Sequence, residues 1–405
     1  MQLPDDFIQL IRPVFGEERF ARFLQALSEE APVSIRVNPR HSLELRTESG
    51  ESAIPWCRNA FYLSARPNFT FDPLLHAGCY YVQEASSMFL DEVLRQHLPS
   101  YPVMALDLCA APGGKSTLMR SALPDGSVLY SNEPIPKRAS ILLENVEKWG
   151  YDHHIITNCY PKDYKKSKVQ FDVILCDVPC SGEGMFRKDP DSIKEWSLKH
   201  VQQCQLLQRD IVSNAWQCLV PGGLLIYSTC TYNTREDEEN VRWMMEEFDA
   251  EPLSVHTEAE WGITGSLLEG FTAPVYRFIP GYTKGEGLFM AVMRKKGERQ
   301  SRKFQIKENS LLHQLPKHRL DTTETQYPQA ELSYTQSIAF LRGEALVLSP
   351  DVPRGIVTVT FKGYPLGQVK NIGNRANNLY PKEWRIRTTH VPHEYQPVLP
   401  IILTS

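Results

Sequence analysis

Several features are missing from this chain of 405 residues. No stretch approaches the roughly 18 apolar residues that suggest a membrane span. The opening, MQLPDDFIQLIRP, has no basic start followed by an apolar run. No secretory signal is therefore expected, and the cytoplasm is the expected compartment. The nine cysteines are Cys57, Cys79, Cys109, Cys159, Cys176, Cys180, Cys204, Cys218 and Cys230. They contain no Cys-x-x-Cys pair and no adjacent histidine cluster, so neither a zinc site nor a disulfide framework is expected, and reduced thiols fit best. Internal repeats and low-complexity tracts are absent. A net charge of −4 gives no overall mark of a nucleic-acid binder. What is present is ordinary: 42% apolar and 23% charged residues, enough core for about two or three domains.

Three regions follow from the patterning. Residues 1–92 open with two helical patterns, 6–14 and 17–27. A strand-like VSIRVNP at 33–39 follows, then YYVQE at 80–84 leads into a helix running past Leu94. Residues 93–296 alternate strands and helices. The strands are expected at 104–110, 127–133, 154–158, 171–177 and 224–230. The helices are expected at 116–122, 141–149, 193–219 and 236–247, the last capped by Asn233 or Thr234. The 193–219 helix places Val201, Cys204, Leu207, Ile211 and Ala215 on one face. Strands separated by helices predict a doubly wound parallel sheet. Residues 297–405 begin in a charged linker, KKGERQSRK at 295–303, and continue into a β-rich module. Between residues 351 and 390 it carries Arg354, Lys362, Lys370, Arg375, Lys382, Arg385 and Arg387 against Asp351 and Glu383.

The motif LDLCAAPGGKS, 106–116, runs from a strand through small residues and two glycines into a helix. Such a turn lets backbone N–H groups approach a ligand at a helix N-terminus. It misses the P-loop pattern, because Cys109 stands where a glycine is needed ahead of Gly114, Lys115 and Ser116, and G-x-G-x-x-G is absent. S-adenosylmethionine, or a tight connection with no ligand, stays open. Glu133 ends the next strand, where an acid can accept both ribose hydroxyls of a nucleoside. CDVPCSGEG, 176–184, puts Asp177 and Cys180 at the carboxyl edge of the sheet, and YSTCTY, 227–232, puts Cys230 at the end of another strand. The two strands are expected to be neighbours, with Cys180 and Cys230 side by side. Cysteine usually packs as a small hydrophobe. Cys176, Cys204 and Cys218 are read that way, and Cys57 and Cys79 carry no assigned chemistry. Two thiols at adjacent strand ends beside a nucleoside site do not fit that role.

These residues resemble the NOP2/Sun family of RNA cytosine-5 methyltransferases, and most nearly its bacterial RsmF-type branch acting on 16S rRNA. The matching blocks are RVNP (36–39), YYVQEASSM (80–88), LDLCAAPGGKS, CDVPCSGEGMFRKDP (176–190), YSTCTYNTREDEENV (227–241) and FKGYPLGQVKNIGNRANNLYPKEWR (361–385). The resemblance implies an α/β protein: a Rossmann-like, doubly wound S-adenosylmethionine-dependent methyltransferase core, a small α+β N-terminal domain and a β-rich PUA-like C-terminal domain. It implies Cys230 as nucleophile and Cys180 as the cysteine that assists product release. Cys109, Ala110, Ala111, Pro112, Gly113, Gly114 and Lys115 become the cofactor loop, Glu133 the ribose ligand, and Asp177 a neighbour of both methionine and target base. Where relatives carry an acid after the third strand, this chain has Cys159, which receives no role. DNA cytosine-5 methyltransferases use a Pro-Cys nucleophile, which would be Cys180, and a Glu-Asn-Val strand. That tripeptide occurs here at 144–146 and 239–241, both on predicted helices.

The implied chemistry explains a cysteine pair. C5 of cytosine is too weakly nucleophilic to attack a sulfonium methyl; a thiolate adding to C6 makes it an enamine-like carbon. Loss of the C5 proton then restores aromaticity and expels the thiolate, and a carboxylate such as Asp177 stabilises the adduct. A paired base must first be unstacked. The expected partner is rRNA, within the small ribosomal subunit, bound by a monomer with no metal; Lys362, Lys370, Arg375, Lys382, Arg385 and Arg387 are the candidate phosphate contacts. A tRNA substrate, or a non-catalytic assembly factor that keeps the fold, are the alternatives.

Overall fold

The computed structural model describes residues 2–41, 44–45, 52–298, 309–316, 327–388, 391–392, 394–398 and 401–402. The two N-terminal helical patterns are halves of one helix, Asp5–Leu27, bent where Gly16 takes φ 73° and ψ 165°. Phe7, Phe15 and Phe23 on this helix make edge contacts with Phe186, Trp196 and Tyr232. These partners follow Cys180 and Cys230 in sequence, so the N-terminal helix props the loops that carry both thiols. A four-stranded antiparallel sheet comes next, in the order Ser52–Ala53, Ala60–Leu63, Val33–Val37, Tyr80–Val82. Of these, only Val33–Val37 was expected from the sequence as a strand.

The central sheet has eight strands. Its order is Glu251–Pro252, Leu288–Arg294, Leu219–Thr229, Phe171–Asp177, Met104–Asp107, Val128–Asn132, His154–Thr157, with Tyr276–Phe278 paired to Leu288–Arg294. The five strands from Leu219–Thr229 to His154–Thr157 run parallel. Leu288–Arg294 is antiparallel to Leu219–Thr229, so the sheet is mixed at one edge rather than wholly parallel. The central strands are buried on both faces, which is why they read as continuous apolar runs.

Three expected elements differ in detail. The predicted 193–219 helix is two helices, Pro190–Glu195 and Leu198–Cys218. Trp196 turns inward between them, and Ser197 caps the second by accepting the His200 N–H at 3.1 Å. Leu207, expected on its buried face, is 47% exposed. The predicted 236–247 helix begins at Glu238; Asn233 caps the turn before it, accepting the Glu236 N–H at 2.9 Å. The strand at 224–230 starts already at Leu219, and Pro221 to Gly223 form an irregularity inside it. Both Glu-Asn-Val tripeptides lie in helices.

The C-terminal sheet runs Gln329–Glu331, Gly355–Phe361, Tyr364–Asn371, Ala376–Asn378, with helix Tyr334–Leu341 packed on it. It shares one apolar cluster with the N-terminal sheet, in which Ile35, Phe71 and Leu74 join Leu332, Phe340 and Val359. Tyr334 Oη also donates to the Phe71 carbonyl at 3.2 Å. Of the expected linker at 295–303, Lys295 is anchored to the Trp216 and Leu219 carbonyls, and residues 299–303 lie outside the described residues. Among the described residues no helix is long and apolar enough to cross a membrane.

A shared core predicts shared stability. Leu74→Ala, at a side chain 1% exposed, is expected to cost about 2–5 kcal/mol and to raise amide hydrogen exchange in both the N-terminal strands and residues 329–371. Faster exchange confined to the N-terminal strands would show two independent domains.

Candidate active site

The parallel pairing of Phe171–Asp177 with Leu219–Thr229 sets Cys176 opposite Tyr227 and Asp177 opposite Ser228. Both chains then leave the sheet at the same level, and the Cys180 and Cys230 sulfurs lie 3.2 Å apart. The hydrogen bond to Cys230, followed by burial, pushes the Cys180 thiol well above its ordinary range. At this distance either sulfur can donate to the other, and the raised Cys180 thiol makes Cys180 the candidate to keep its proton.

Ser228 Oγ donates to Asp177 Oδ1 at 2.6 Å, and Lys115 Nζ approaches Asp177 Oδ2 at 2.8 Å. Burial pulls the Lys115 ammonium down, but Asp177 and the neighbouring acids and thiol more than offset this, so it stays raised and charged. The Asp177 carboxylate is thus fixed at the sheet edge by two partners.

The 108–114 turn is braced from three sides. Arg36 donates to the Gly114 carbonyl at 3.2 Å and to Thr117 Oγ1 at 2.7 Å. Asn145 reaches the Pro112 carbonyl at 2.8 Å, and Arg138 the Ala111 carbonyl at 3.1 Å. Gly113 adopts φ +120° at the helix N-cap, a conformation that favours glycine. Asn132, buried, ties the strand ends together by donating to the Leu108 and Cys159 carbonyls and accepting from the Cys159 N–H and Thr157 Oγ1. Glu133 is 2% exposed; its Oε1 accepts the Ile135 N–H at 3.0 Å, and Oε2 lies 3.5 Å from Arg138. Asp107 keeps one buried oxygen, Oδ1, without a hydrogen-bond partner, and burial pushes its carboxyl up to about 7.

The Cys230 loop is held by three buried acids: Glu183, within the 176–184 motif, and Glu236 and Asp237, which the sequence placed at the start of the 236–247 helix. Glu183 accepts the Tyr232 and Asn233 N–H groups at 2.6 and 3.1 Å, the Asn233 side chain at 2.8 Å and Trp196 Nε1 at 3.0 Å. Glu236 accepts from the Ser181 amide, Gln208 and Asn233. Asp237 takes Thr229 Oγ1 and Thr231 Oγ1 at 2.6 and 2.9 Å and pairs with buried Arg277 at 3.1 Å. Gly184 donates to the Cys230 carbonyl at 2.7 Å, and a Cβ there would come within 2.8 Å of that oxygen. The signal available in sequence was the density of Ser, Thr and Asn around these acids.

Two cavities meet at the thiols. One, of about 600 Å³, is lined by Glu133, Ile135, Tyr160, Leu207 and Asp210; Leu207 is exposed because it forms this wall. The other, of about 370 Å³, is lined by Tyr81, Gln83, Lys115, Lys188 and Glu286. Cys109, Ala111, Asp177, Val178, Cys180 and Cys230 line both. Ala110, Pro112 and Gly114 line only the second, and Gly113 lines neither. Cys159 lies outside both: its sulfur accepts the His313 N–H at 3.1 Å within a buried cluster, and its neighbours Tyr160 and Lys162 line the larger cavity instead. Of the basic C-terminal residues, Lys370, Arg375, Lys382 and Arg387 are exposed. Lys362 lies over the Tyr395 ring, and half-buried Arg385 donates to the Tyr380 carbonyl. None of the six lines either cavity. Among the described residues no three His, Cys, Asp or Glu side chains group as metal ligands.

A parallel sheet whose carboxyl edge carries a Gly-rich turn, a strand-end acid and a deep double cavity is the core of a Rossmann-like, S-adenosylmethionine-dependent methyltransferase. Residues 99–294 match the family described as 16S rRNA methyltransferase RsmB/F, residues 3–85 the N-terminal domain of 16S rRNA methyltransferase RsmF, and residues 327–386 the methyltransferase RsmF PUA domain. The chain is thus similar to the RsmB/F family along its central segment and to RsmF at both flanks. It is 33% identical over 73% of its length to ribosomal RNA small subunit methyltransferase F of Pectobacterium atrosepticum, and 32% identical over 73% to that of Vibrio cholerae. These matches span 63% and 64% of those relatives' lengths. The Enterobacter relative of the same name is 27% identical, over 94% of this chain and 95% of its own. Two solved Pyrococcus horikoshii structures share the fold. A methyltransferase homologue superposes with a TM-score of 0.59 and 26% identity, over 71% of this chain and 94% of that one. NSun6 with SFG, an S-adenosylmethionine analogue, gives 0.60 and 19%, over 73% and 99%.

If Cys180 holds the proton, iodoacetamide at about pH 7.5 should label Cys230 before Cys180, as read by peptide-resolved mass spectrometry. Faster labelling of Cys180 would reverse the assignment.

Proposed function

We propose that this chain methylates C5 of a cytosine in small-subunit rRNA, with Cys230 as nucleophile and Cys180 assisting product release. The observation that carries the reading is the 3.2 Å sulfur pair set in the wall common to both cavities. The two cavities together fit S-adenosylmethionine. In the larger, buried Glu133 offers a carboxylate to the ribose hydroxyls; the smaller is lined by Asp107, whose unpartnered Oδ1 is an acceptor for an ammonium group, and residues 109–115 supply the close turn between them. S-adenosylmethionine supplies the methyl group and its sulfonium leaving group.

The protein's own residues do the rest. Cys230 adds to C6 as a thiolate, in a cavity whose wall it shares with the Lys115 ammonium. Asp177, fixed by Ser228 and Lys115, faces both cavities and holds the polar edge of the base while charge builds on the ring. After methyl transfer the C5 proton passes to solvent, the C–H electrons re-form the C5–C6 double bond, and the C6–S bond breaks with its electron pair leaving on the Cys230 sulfur. The Cys180 S–H, with its sulfur 3.2 Å from that of Cys230, stabilises the thiolate that leaves. The clamp of Glu183, Glu236 and Asp237 touches no substrate; these are positioning residues. Lys362, Lys370, Arg375, Lys382, Arg385 and Arg387 are read as phosphate contacts of the PUA-like domain. The reading carries with it a monomer in the cytoplasm, working without metal on the small ribosomal subunit or its rRNA.

The test supplies labelled S-adenosylmethionine with unmethylated small-subunit rRNA, 30S particles and tRNA, to wild type and Cys230→Ala. Transfer to rRNA or 30S particles by wild type, falling to background in Cys230→Ala, is expected. Transfer to tRNA alone would replace the substrate, and no transfer to any RNA would leave a non-catalytic RNA-binding protein.

A further inference from the structure

A third cavity, of about 290 Å³, lies beside the smaller cavity at the thiols and shares Tyr81 and Val82 with it. Helix Pro136–Trp149 forms one wall with Glu144, Asn145, Lys148 and Trp149, and His76 and Thr70 stand on the N-terminal side. The Tyr81 and Trp149 rings meet at 77° with centroids 6.4 Å apart, making an aromatic corner. Arg36 packs on Trp149, 4.4 Å from its centroid.

The charges in this cavity cancel. Lys148 is ion-paired with Glu144. His76 donates from Nε2 to the Thr70 carbonyl at 2.9 Å, while its Nδ1 faces the Lys148 amine at 3.4 Å. Burial, with Lys148 beside it, pulls His76 down to about 3, so the ring is neutral. A phosphate or a carboxylate finds no net positive charge here. A flat, neutral group with hydrogen-bonding edges finds the half-buried Tyr81 ring, backed by buried Trp149, and the Glu144–Lys148 pair. The cavity has about half the volume of the larger cavity at the thiols, so it has room for a base rather than a complete cofactor.

We propose that this cavity receives an unstacked RNA base next to the target cytosine, giving the enzyme a second point of sequence readout. The proposal rests on the RNA-methyltransferase reading above and deepens it. Turning a cytosine out of its stack frees its neighbours, and single-stranded RNA is held by stacking on aromatic rings and by hydrogen bonds to base edges. Continuity through Tyr81 and Val82 puts the cavity within reach of the strand that delivers the target. Lys148 also lies 5.6 Å from the Trp384 ring centroid, so the same side chain borders the PUA-like domain.

The test uses small-subunit rRNA fragments carrying 4-thiouridine, photocrosslinked to the full chain and mapped by mass spectrometry, with methyl transfer measured in parallel. Thr70→Trp, at an exposed rim position, closes the mouth; Leu75→Trp serves if melting shows Thr70→Trp to be unfolded. Expected are wild-type crosslinks to Tyr81, His76 or Trp149 that vanish in the variant while those to the C-terminal domain persist. KM for RNA should rise about tenfold in the variant, with kcat within about twofold, the size of one lost base stack. Methyl transfer without any crosslink in this cavity overturns the proposal and leaves the proposed function standing. Cavity crosslinks that vanish in the variant, without methyl transfer, overturn the proposed function and keep the base pocket.

Discussion

The register between Phe171–Asp177 and Leu219–Thr229 sets Ser228 opposite Asp177, and the rest of the site is arranged around that pairing. A slip of one residue would turn every side chain of one strand to the other face of the sheet. Asp177 would lose Ser228, and the chains leaving the two strands would no longer bring Cys180 and Cys230 together. The register is secured by apolar residues buried on both faces, Val173, Ile174 and Leu175 against Leu224, Leu225 and Ile226. Core packing therefore sets the geometry of the two sulfurs.

Beyond the sheet, hydrogen bonds to buried acids take over. Burying Glu183, Glu236 and Asp237 is unfavourable unless each is satisfied. Glu183 and Glu236 find neutral donors in backbone amides and in Ser, Asn, Gln and Trp side chains. Asp237 has two threonine hydroxyls and the Arg277 guanidinium. A network of this kind does little for net stability, but it specifies one loop conformation. Here that conformation presents the Cys230 sulfur to both cavities. The aromatic face of the N-terminal helix closes over the same loops, so the N-terminal segment supports the site as well as flanking it.

Much of this was legible in the sequence because the two strands that lead to the thiols are apolar runs ending in polar turns, the first of them Gly-containing. Such runs mark parallel strands, and their ends mark the ligand edge. The adjacency of Cys180 and Cys230 followed from topology alone. The acid clamp was not legible: Glu236 to Glu239 carry the pattern of an exposed helix start, and only the tertiary fold buries Glu236, Asp237 and Glu238. Ser228 and Asn132 were missed because each sits in a polar strand end, Ser228 before Thr229 and Asn132 between Ser131 and Glu133, where one more small polar residue looks incidental. Leu207 was assigned to the core because helical periodicity cannot distinguish a cavity wall from a packed face. The short strands at 52–53 and 60–63 carry too few residues to show alternation.

The division of labour between the two sulfurs is the claim on which the account stands. Its most direct measurement incubates Cys180→Ala with S-adenosylmethionine and small-subunit rRNA, then resolves protein and RNA under denaturing conditions with peptide mapping of any complex. The account predicts a covalent protein–RNA complex, accumulating because release is impaired and attached through Cys230. A complex attached through another residue, or full turnover by Cys180→Ala with no complex, would contradict it.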